Sequence, residues 1–161
     1  MNKILKNFKL LGRVKDLKSS NFVWSKELDD RGIYLFVYEG KDIPQFIVPG
    51  CGPKKHKDRE VNVSKDELEE NWIHLGFDRN IIYIGESEGK NGVGARLKLH
   101  MRFGNGEEVN ACGGRYIWQI KDSDNLLVFW KRSDSPKKDK KLMLNEFKKE
   151  YGELPFANLQ D

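Results

Sequence analysis

Two short stretches decide the fold: Gly-Ile-Tyr-Leu-Phe-Val-Tyr at residues 32–38 and Ile-Ile-Tyr-Ile at residues 81–84. Both are rich in β-branched and aromatic residues, and glycine or aspartate flanks each of them, which is typical of strands. Successive side chains of a strand point to opposite faces, so Tyr34 and Tyr83 face away from their aliphatic neighbours. If the two strands pair, both phenols lie on one face of the sheet.

Two further segments, 115–120 and 126–130, have the same strand-like composition and are separated by a polar turn. The strands occur before and among helices, without a regular alternation of strand and helix. This order predicts an α+β fold, with a small central antiparallel sheet of three or more strands flanked by helices.

Three helical regions follow from the spacing of apolar residues. Residues 3–18 predict one basic amphipathic helix or two short ones. The stripe Val93, Leu97 and Met101 predicts a second helical region. A last helix is predicted from the segment that starts with Pro136 in its first turn and is terminated near Gly152.

The region 39–80 is predicted to be an insertion between the first two core strands. Prolines and glycines interrupt its first part, and Ser64 with Glu67 three residues later forms a capping box that starts a helix. That helix is predicted to place Leu68, Trp72 and Leu75 on one face.

The chain of 161 residues is predicted to form one domain, 1–161, with a basic N-terminal extension at 1–30. The cysteines Cys51 and Cys112 are far apart and form no CxxC pair, which favours reduced thiols and a cytoplasmic protein. No apolar run approaches the length of about 20 residues that spans a bilayer, so we expect no membrane association.

Cationic side chains are concentrated in two segments. Residues 1–20 carry six lysines and arginines against Asp16 alone, and residues 131–141 carry six against two aspartates. Such patches suit a polyanion, because neutralising phosphates releases condensed counterions. A solvated lysine surface is the alternative interpretation.

The glycine-rich segment 85–94 does not have the spacing of a nucleotide-binding loop. A P-loop has four residues between its glycines and Ser or Thr after its Lys. Here three residues separate Gly85 from Gly89, and Asn91 follows Lys90. A flexible entry into the next helix is therefore the favoured interpretation.

Charged residues at helical spacing indicate a functional cleft. Arg96 and His100 are four residues apart, so they share one side of a helix beside the apolar stripe. On the last helix, Glu146 falls between Leu142 and Met143 in the predicted core-facing arc, where a carboxylate needs a metal ion or an arginine as its partner. Glu150 lies on a similar bearing, and an ordinary ion pair is the alternative.

Taken together, these residues resemble the GIY-YIG nuclease family. Residues 32–34 and 83–85 are similar to its two signature tripeptides, each on a strand. The elements that follow keep the family order: Arg96 with His100, then Glu146 on a late helix, then Asn158 in a closing segment with proline. The long insertion between the tripeptides is similar to that of restriction-enzyme members. Glu86 replaces the small or basic residue that many relatives carry there.

The resemblance implies a metal-dependent endonuclease that hydrolyses DNA phosphodiester bonds. Its implied catalytic set is Tyr34, Tyr83, Arg96, His100, Glu146 and Asn158. Glu146 would hold one Mg²⁺ or Mn²⁺, and Glu86 would either turn away or help hold the metal. Arg96 would bind the phosphate, Tyr34 would act as general base with Tyr83 orienting water or phosphate, and His100 would take or relay a proton.

DNA is the expected partner, and the basic segments are expected to flank the cleft and bind it. The lysines expected to make this contact are Lys3, Lys6, Lys9, Lys54, Lys55, Lys137 and Lys138. A homodimer on DNA is expected if both strands are cut. The alternatives are a non-catalytic DNA-binding module on the same fold and a nuclease acting on RNA or branched DNA.

Overall fold

The computed structural model of the protein describes residues 2–72, 79–110 and 113–159. In these ranges the chain forms the helices α1 (Asn2–Leu5), α2 (Val14–Lys18), α3 (Lys65–Asn71), α4 (Gly92–Gly104) and α5 (Pro136–Tyr151). The strands are β1 (Lys9–Arg13), β2 (Gly32–Glu39), β3 (Lys55–His56), β4 (Arg59–Glu60), β5 (Arg79–Ser87) and β6 (Leu127–Arg132). His74, Leu75 and Cys112 lie outside the described residues.

Four of the strands form one antiparallel sheet in the order β1-β6-β2-β5. The strand that contains Tyr34 is central, and it pairs with the strand that contains Tyr83 on one side and with β6 on the other. In this register Tyr34 lies opposite Gly85, and Phe36 lies opposite Tyr83. The predicted α+β class and antiparallel sheet are confirmed.

The two faces of the sheet bury different side chains. Tyr34, Phe36 and Tyr83 share one face with the apolar stripe of α4. Ile33 and Leu35 share the other face with α5 and the apolar residues of α1. Burying one such side chain contributes about 1.5–3 kcal/mol. The aromatic face therefore carries the phenols of Tyr34 and Tyr83. The predicted catalytic side chains of β2 and β5 are absent from the aliphatic face.

The N-terminal segment differs from its predicted helical form. Residues Lys9–Arg13 are a strand that pairs with β6 at the edge of the sheet, between two short helices. Gly12 has a φ of +152°, a conformation that interrupts a helix and that glycine adopts at little cost. The extension is thus part of the core sheet.

Two strand predictions also need correction. Residues Arg115–Gln119 form a 3-10 helix, which follows Gly114 in the left-handed conformation at a φ of +74°. The edges of β2 are already occupied by β5 and β6, and the 3-10 helix instead buries Trp118 in the core. The strand predicted to end at Gly85 continues to Ser87.

The helix ends follow the predicted signals for the most part. Gly152 ends α5 in the left-handed conformation, and Pro136 occupies its first turn. Ser64 caps α3 by accepting a hydrogen bond from the Glu67 backbone N–H at 3.1 Å, whereas the Glu67 carboxylate accepts from the Tyr116 hydroxyl. No helix in the described part of the chain has the length and apolarity needed to cross a membrane.

Candidate active site

Tyr34 occupies a position on the central strand that depends on a glycine opposite it. A Cβ atom placed on Gly85 would lie 2.2 Å from Cζ of Tyr34, so only glycine allows the phenol ring to lie across β5. Gly32 faces a similar constraint, because its Cβ would lie 2.2 Å from the Lys131 carbonyl oxygen of β6. Both glycines therefore permit a close approach, by the Tyr34 ring at Gly85 and by the β6 backbone at Gly32.

The hydroxyl of Tyr34 is hydrogen-bonded to His100 on α4. The distance between Tyr34 Oη and His100 Nε2 is 2.7 Å, and both residues are 1% exposed. The rings of Phe36 and Tyr83 pack against the imidazole at centroid distances of 5.5 and 5.6 Å. His100 is thus buried in the aromatic face of the sheet. Helical spacing alone instead predicts a position beside the apolar stripe of α4, at the edge of the core.

Burial keeps His100 uncharged. Desolvation lowers the pKa of its imidazole to about 3, with smaller contributions from the positive charges of Arg96 and Lys140. At neutral pH the ring is therefore neutral, and it serves Tyr34 as an uncharged hydrogen-bond partner.

A cavity of about 210 Å³ opens beside this pair. Its walls bring together four of the six predicted catalytic residues, Tyr34, Tyr83, Arg96 and His100, although they come from three separate elements of the fold. The other lining residues are Glu86, Gly113 and Lys140. Two phenols, a guanidinium, an ammonium group and one carboxylate thus line one space, and the excess of positive charge suits an anionic substrate.

Asn158 lies next to this cavity and has a different role from the other predicted residues. Its side chain is buried and makes two hydrogen bonds with the backbone of Ile84 on β5: Oδ1 accepts from the N–H at 2.8 Å, and Nδ2 donates to the carbonyl at 2.9 Å. The structure therefore shows a residue that positions the strand of Tyr83, and Asn158 lines a neighbouring cavity that also contains Tyr83.

Glu146 does not face the core, contrary to the prediction. Its side chain is exposed, and Leu142, one helical turn earlier, is 51% exposed. Leu144 and Phe147 form the buried face of α5, so the arc that includes Glu146 is turned toward solvent. Glu150 is exposed as well.

The cavity offers a metal ion one carboxylate. Glu86 is the acidic residue among its lining side chains, and Glu146 is not among them. No group of three or more His, Cys, Asp and Glu side chains that could hold a metal ion exists within the described ranges. Mg²⁺ needs fewer protein ligands, because it binds through one or two carboxylates together with substrate phosphates and waters. The residues present therefore fit a magnesium ion at Glu86.

Lys140 is a residue of the cavity that the sequence interpretation missed. It is half-buried, and desolvation lowers the pKa of its ammonium group; Glu86 opposes this shift and Arg96 adds to it. A signal was present, because Lys140 precedes Leu144 and Phe147 by one and two helical turns and so shares their buried face.

The lysines predicted to contact DNA are distributed over several surfaces. The exposed Lys3 and Lys6 belong to the segment whose apolar residues pack on the aliphatic face of the sheet, and neither is among the described lining residues of the cavity. Lys9 forms a surface ion pair with Glu27 at 3.4 Å.

The other predicted contacts lie on two further surfaces. Lys54 and Lys55 are exposed at the small β3–β4 hairpin. Lys137 and Lys138 are exposed in the first turn of α5, where the Lys137 backbone N–H donates to Glu88 at 3.1 Å. Lys140, which lines the cavity, follows them by three and two residues on the same helix.

Comparison with protein-family models, characterised proteins and solved structures finds no match for this chain. The geometry and charge of the cavity itself therefore indicate its function. The feature with the most chemical content is the buried Tyr34–His100 pair at the wall of a cationic cavity.

Proposed function

We propose that this chain is a metal-dependent endonuclease of the GIY-YIG type that hydrolyses DNA phosphodiester bonds in the cavity between Tyr34 and Lys140. The observation that carries the proposal is the 2.7 Å hydrogen bond between Tyr34 and a neutral His100, in the wall of a space that Arg96 and Lys140 also line. A purely structural tyrosine has no need for a cationic cavity beside its hydroxyl.

The substrate phosphate would bind to Arg96. A guanidinium carries a permanent charge and presents paired N–H donors to phosphate oxygens. Its charge also offsets the negative charge that develops when a fifth oxygen approaches phosphorus. Tyr83, whose ring lies 6.2 Å from that of Tyr34, would orient the phosphate or the attacking water.

Tyr34 would serve as general base. As the water oxygen forms its bond to phosphorus, the phenolate oxygen takes the water proton, and the bond from phosphorus to the departing oxygen breaks. Neighbouring cations favour the deprotonated form of an acid. Because His100 has a low affinity for protons, it holds the Tyr34 oxygen by a hydrogen bond and does not carry the proton away.

Glu86 would hold the divalent cation, Mg²⁺ or Mn²⁺. When bound, such an ion supplies Lewis-acid stabilisation of the departing oxygen. The Glu86 carboxylate also balances part of the positive charge of Lys140 while DNA is absent.

The test is incubation with supercoiled plasmid, single-stranded DNA, branched DNA and RNA, each with Mg²⁺ and with chelator. We expect Mg²⁺-dependent cleavage of DNA that Tyr34→Phe abolishes. Tyr38→Phe is the matched control, because it removes a partly buried hydroxyl from the same strand, and Tyr38 is not among the lining residues of the cavity. Cleavage of RNA alone would change the assigned substrate, and binding of DNA without cleavage would leave a non-catalytic DNA-binding module.

A further inference from the structure

A second cavity, of about 260 Å³, adjoins the candidate active site. The two cavities share Tyr83, Gly113 and Lys140 as lining residues. The walls that belong to the second cavity alone are formed by Gly114, Arg115 and the segment Ala157–Leu159. A ligand that extends beyond Tyr83 would therefore enter this space.

The second cavity is cationic. Lys140 and Arg115 line it, and its described lining residues include neither Asp nor Glu. The guanidinium of Arg115 packs against the ring of Tyr116 at 5.6 Å. Its Nε atom is buried and has no hydrogen-bond partner in the described part of the chain. A ligand in the cavity would therefore meet the terminal nitrogens of the guanidinium, since the inaccessible Nε cannot reach it.

Two glycines form the boundary between the cavities. A Cβ atom on Gly113 would lie 2.7 Å from the Tyr83 hydroxyl, and one on Gly114 would lie 3.2 Å from the Tyr83 ring. Side chains at these positions would fill the space next to the phenol. Because Gly113 and Gly114 have no side chains, backbone atoms and the edge of the Tyr83 ring lie between Lys140 and Arg115.

We propose that Lys140 and Arg115 form a second phosphate subsite, which binds the backbone phosphate next to the scissile one in a nucleic-acid strand. This inference rests on the proposed function, and it names the substrate as a polynucleotide with consecutive phosphates. The strand runs past Tyr83, with the scissile phosphate at Arg96 and its neighbour between the ammonium of Lys140 and the planar fork of Arg115.

The primary test is DNA binding in chelator, where no turnover occurs. Fluorescence anisotropy with a labelled duplex across a salt series compares the wild type with Arg115→Gln, Arg115→Lys and Lys140→Gln. We expect about tenfold weaker binding for each Gln variant, because a hydrogen bond to a charged group is lost. Because the two cations share one phosphate, the double variant Arg115→Gln/Lys140→Gln lowers the salt slope by about 0.9, the value for one phosphate contact, and each single Gln variant lowers it by less. Arg115→Lys keeps the slope and recovers part of the affinity.

Lys141→Gln is the matched control, since it removes an exposed charge from the next position of α5. If Lys141→Gln weakens binding as much as Arg115→Gln, or if Arg115→Gln binds as tightly as the wild type, the subsite does not exist. Circular dichroism and thermal unfolding of each variant identify any loss that arises from misfolding.

A cleavage arm separates this inference from the proposed function. The ratio of kcat/KM for an oligonucleotide to that for bis(4-nitrophenyl) phosphate, which has one phosphodiester, is expected to fall about tenfold in Arg115→Gln. An unchanged ratio would overturn the subsite. A wild type that cleaves neither compound would overturn the nuclease proposal, while the binding arm would still decide whether Arg115 and Lys140 contact a phosphate.

Discussion

The side chain of Asn158 closes the outer edge of β5 by pairing with Ile84 as another strand would. Its amide oxygen accepts from the Ile84 N–H at 2.8 Å, and its amide nitrogen donates to the Ile84 carbonyl at 2.9 Å. Beside it, the Ala157 N–H donates to the carbonyl of Ile82 at 2.7 Å. Both groups of Ile84 are satisfied in a buried environment, so the strand that carries Tyr83 is fixed at its free edge.

Asn158→Asp is expected to destabilise the protein. The substitution keeps the shape and the acceptor but removes the donor, which leaves the Ile84 carbonyl buried and facing a carboxylate. A buried polar group without a partner costs about 1–3 kcal/mol, and a charged neighbour adds to this. Urea unfolding measures the effect, with Asn145→Asp on the exposed side of α5 as control. Equal unfolding midpoints for the two variants would mean that the pairing contributes little to stability.

Gly85→Ala is expected to damage the site through Tyr34. The added Cβ would lie 2.2 Å from Cζ of Tyr34 and 2.5 Å from its hydroxyl, so the ring or β5 must move. Overpacking of this kind costs about 1–3 kcal/mol. Gly89→Ala is the control, because its Cβ would have Ser87 Oγ at 3.9 Å as its nearest neighbour. Thermal unfolding and cleavage assays compare the two, and a stable, active Gly85→Ala would contradict the close approach.

The pairing of β2 with β5 was predictable because local pattern and tertiary structure agree there. Tyr34 and Tyr83 alternate with aliphatic residues, and both faces of the sheet are buried. Each strand therefore has one orientation that places its tyrosine on the aromatic face and its aliphatic side chains on the other. The segment 115–119 was not predictable in this way. Its composition suits a strand, but no edge of β2 is available to it, and tertiary packing of Trp118 determines its conformation instead.

The orientation of α5 shows a second limit of sequence patterns. Leu142, Met143 and Leu144 are consecutive, so the apolar residues of the helix cover a wider arc than the sheet buries. Contacts with β5 and β2 determine which part of this arc is buried. The spacing of residues within the helix carries no information about those contacts. For this reason Glu146 was assigned to the core side and Lys140 was overlooked.

Protein stability is expected to fall as the pH decreases, in part because of His100. Its pKa is lowered to about 3 in the folded state from 6.5 when unfolded, so between these values the unfolded chain binds the extra proton. The stabilising contribution is complete above pH 6.5 and is lost as the pH falls toward 3. Its slope reaches about 1.4 kcal/mol per pH unit.

The measurement is urea unfolding of the wild type and His100→Gln at pH 7 and pH 5. Other acidic groups titrate equally in both proteins, so the difference between the two slopes isolates His100. We expect His100→Gln to be less stable at pH 7 and to lose less stability on acidification. Parallel slopes would show that His100 is accessible to protons in the folded state.

The last prediction separates the two carboxylates that are candidates for the metal ion. Glu86→Gln is expected to raise the Mg²⁺ concentration for half-maximal cleavage by at least about tenfold, because Glu86 supplies the carboxylate that lines the cavity. Glu146→Gln changes an exposed residue outside the cavity lining and is expected to cleave as the wild type does. Titration with Mn²⁺ by calorimetry measures metal binding without turnover.

DNA affinity measured in chelator gives an independent test of Glu86, because the expected change has the opposite direction. Glu86 interacts electrostatically with Lys140, so its removal leaves the positive charges of Lys140 and Arg96 less balanced, and DNA should bind more tightly. The same substitution is thus expected to strengthen binding without metal while it weakens metal binding and cleavage. A structural defect would weaken all three. If Glu146→Gln loses metal binding and Glu86→Gln keeps it, the exposed carboxylate of α5 is the ligand, and the metal site lies outside the cavity.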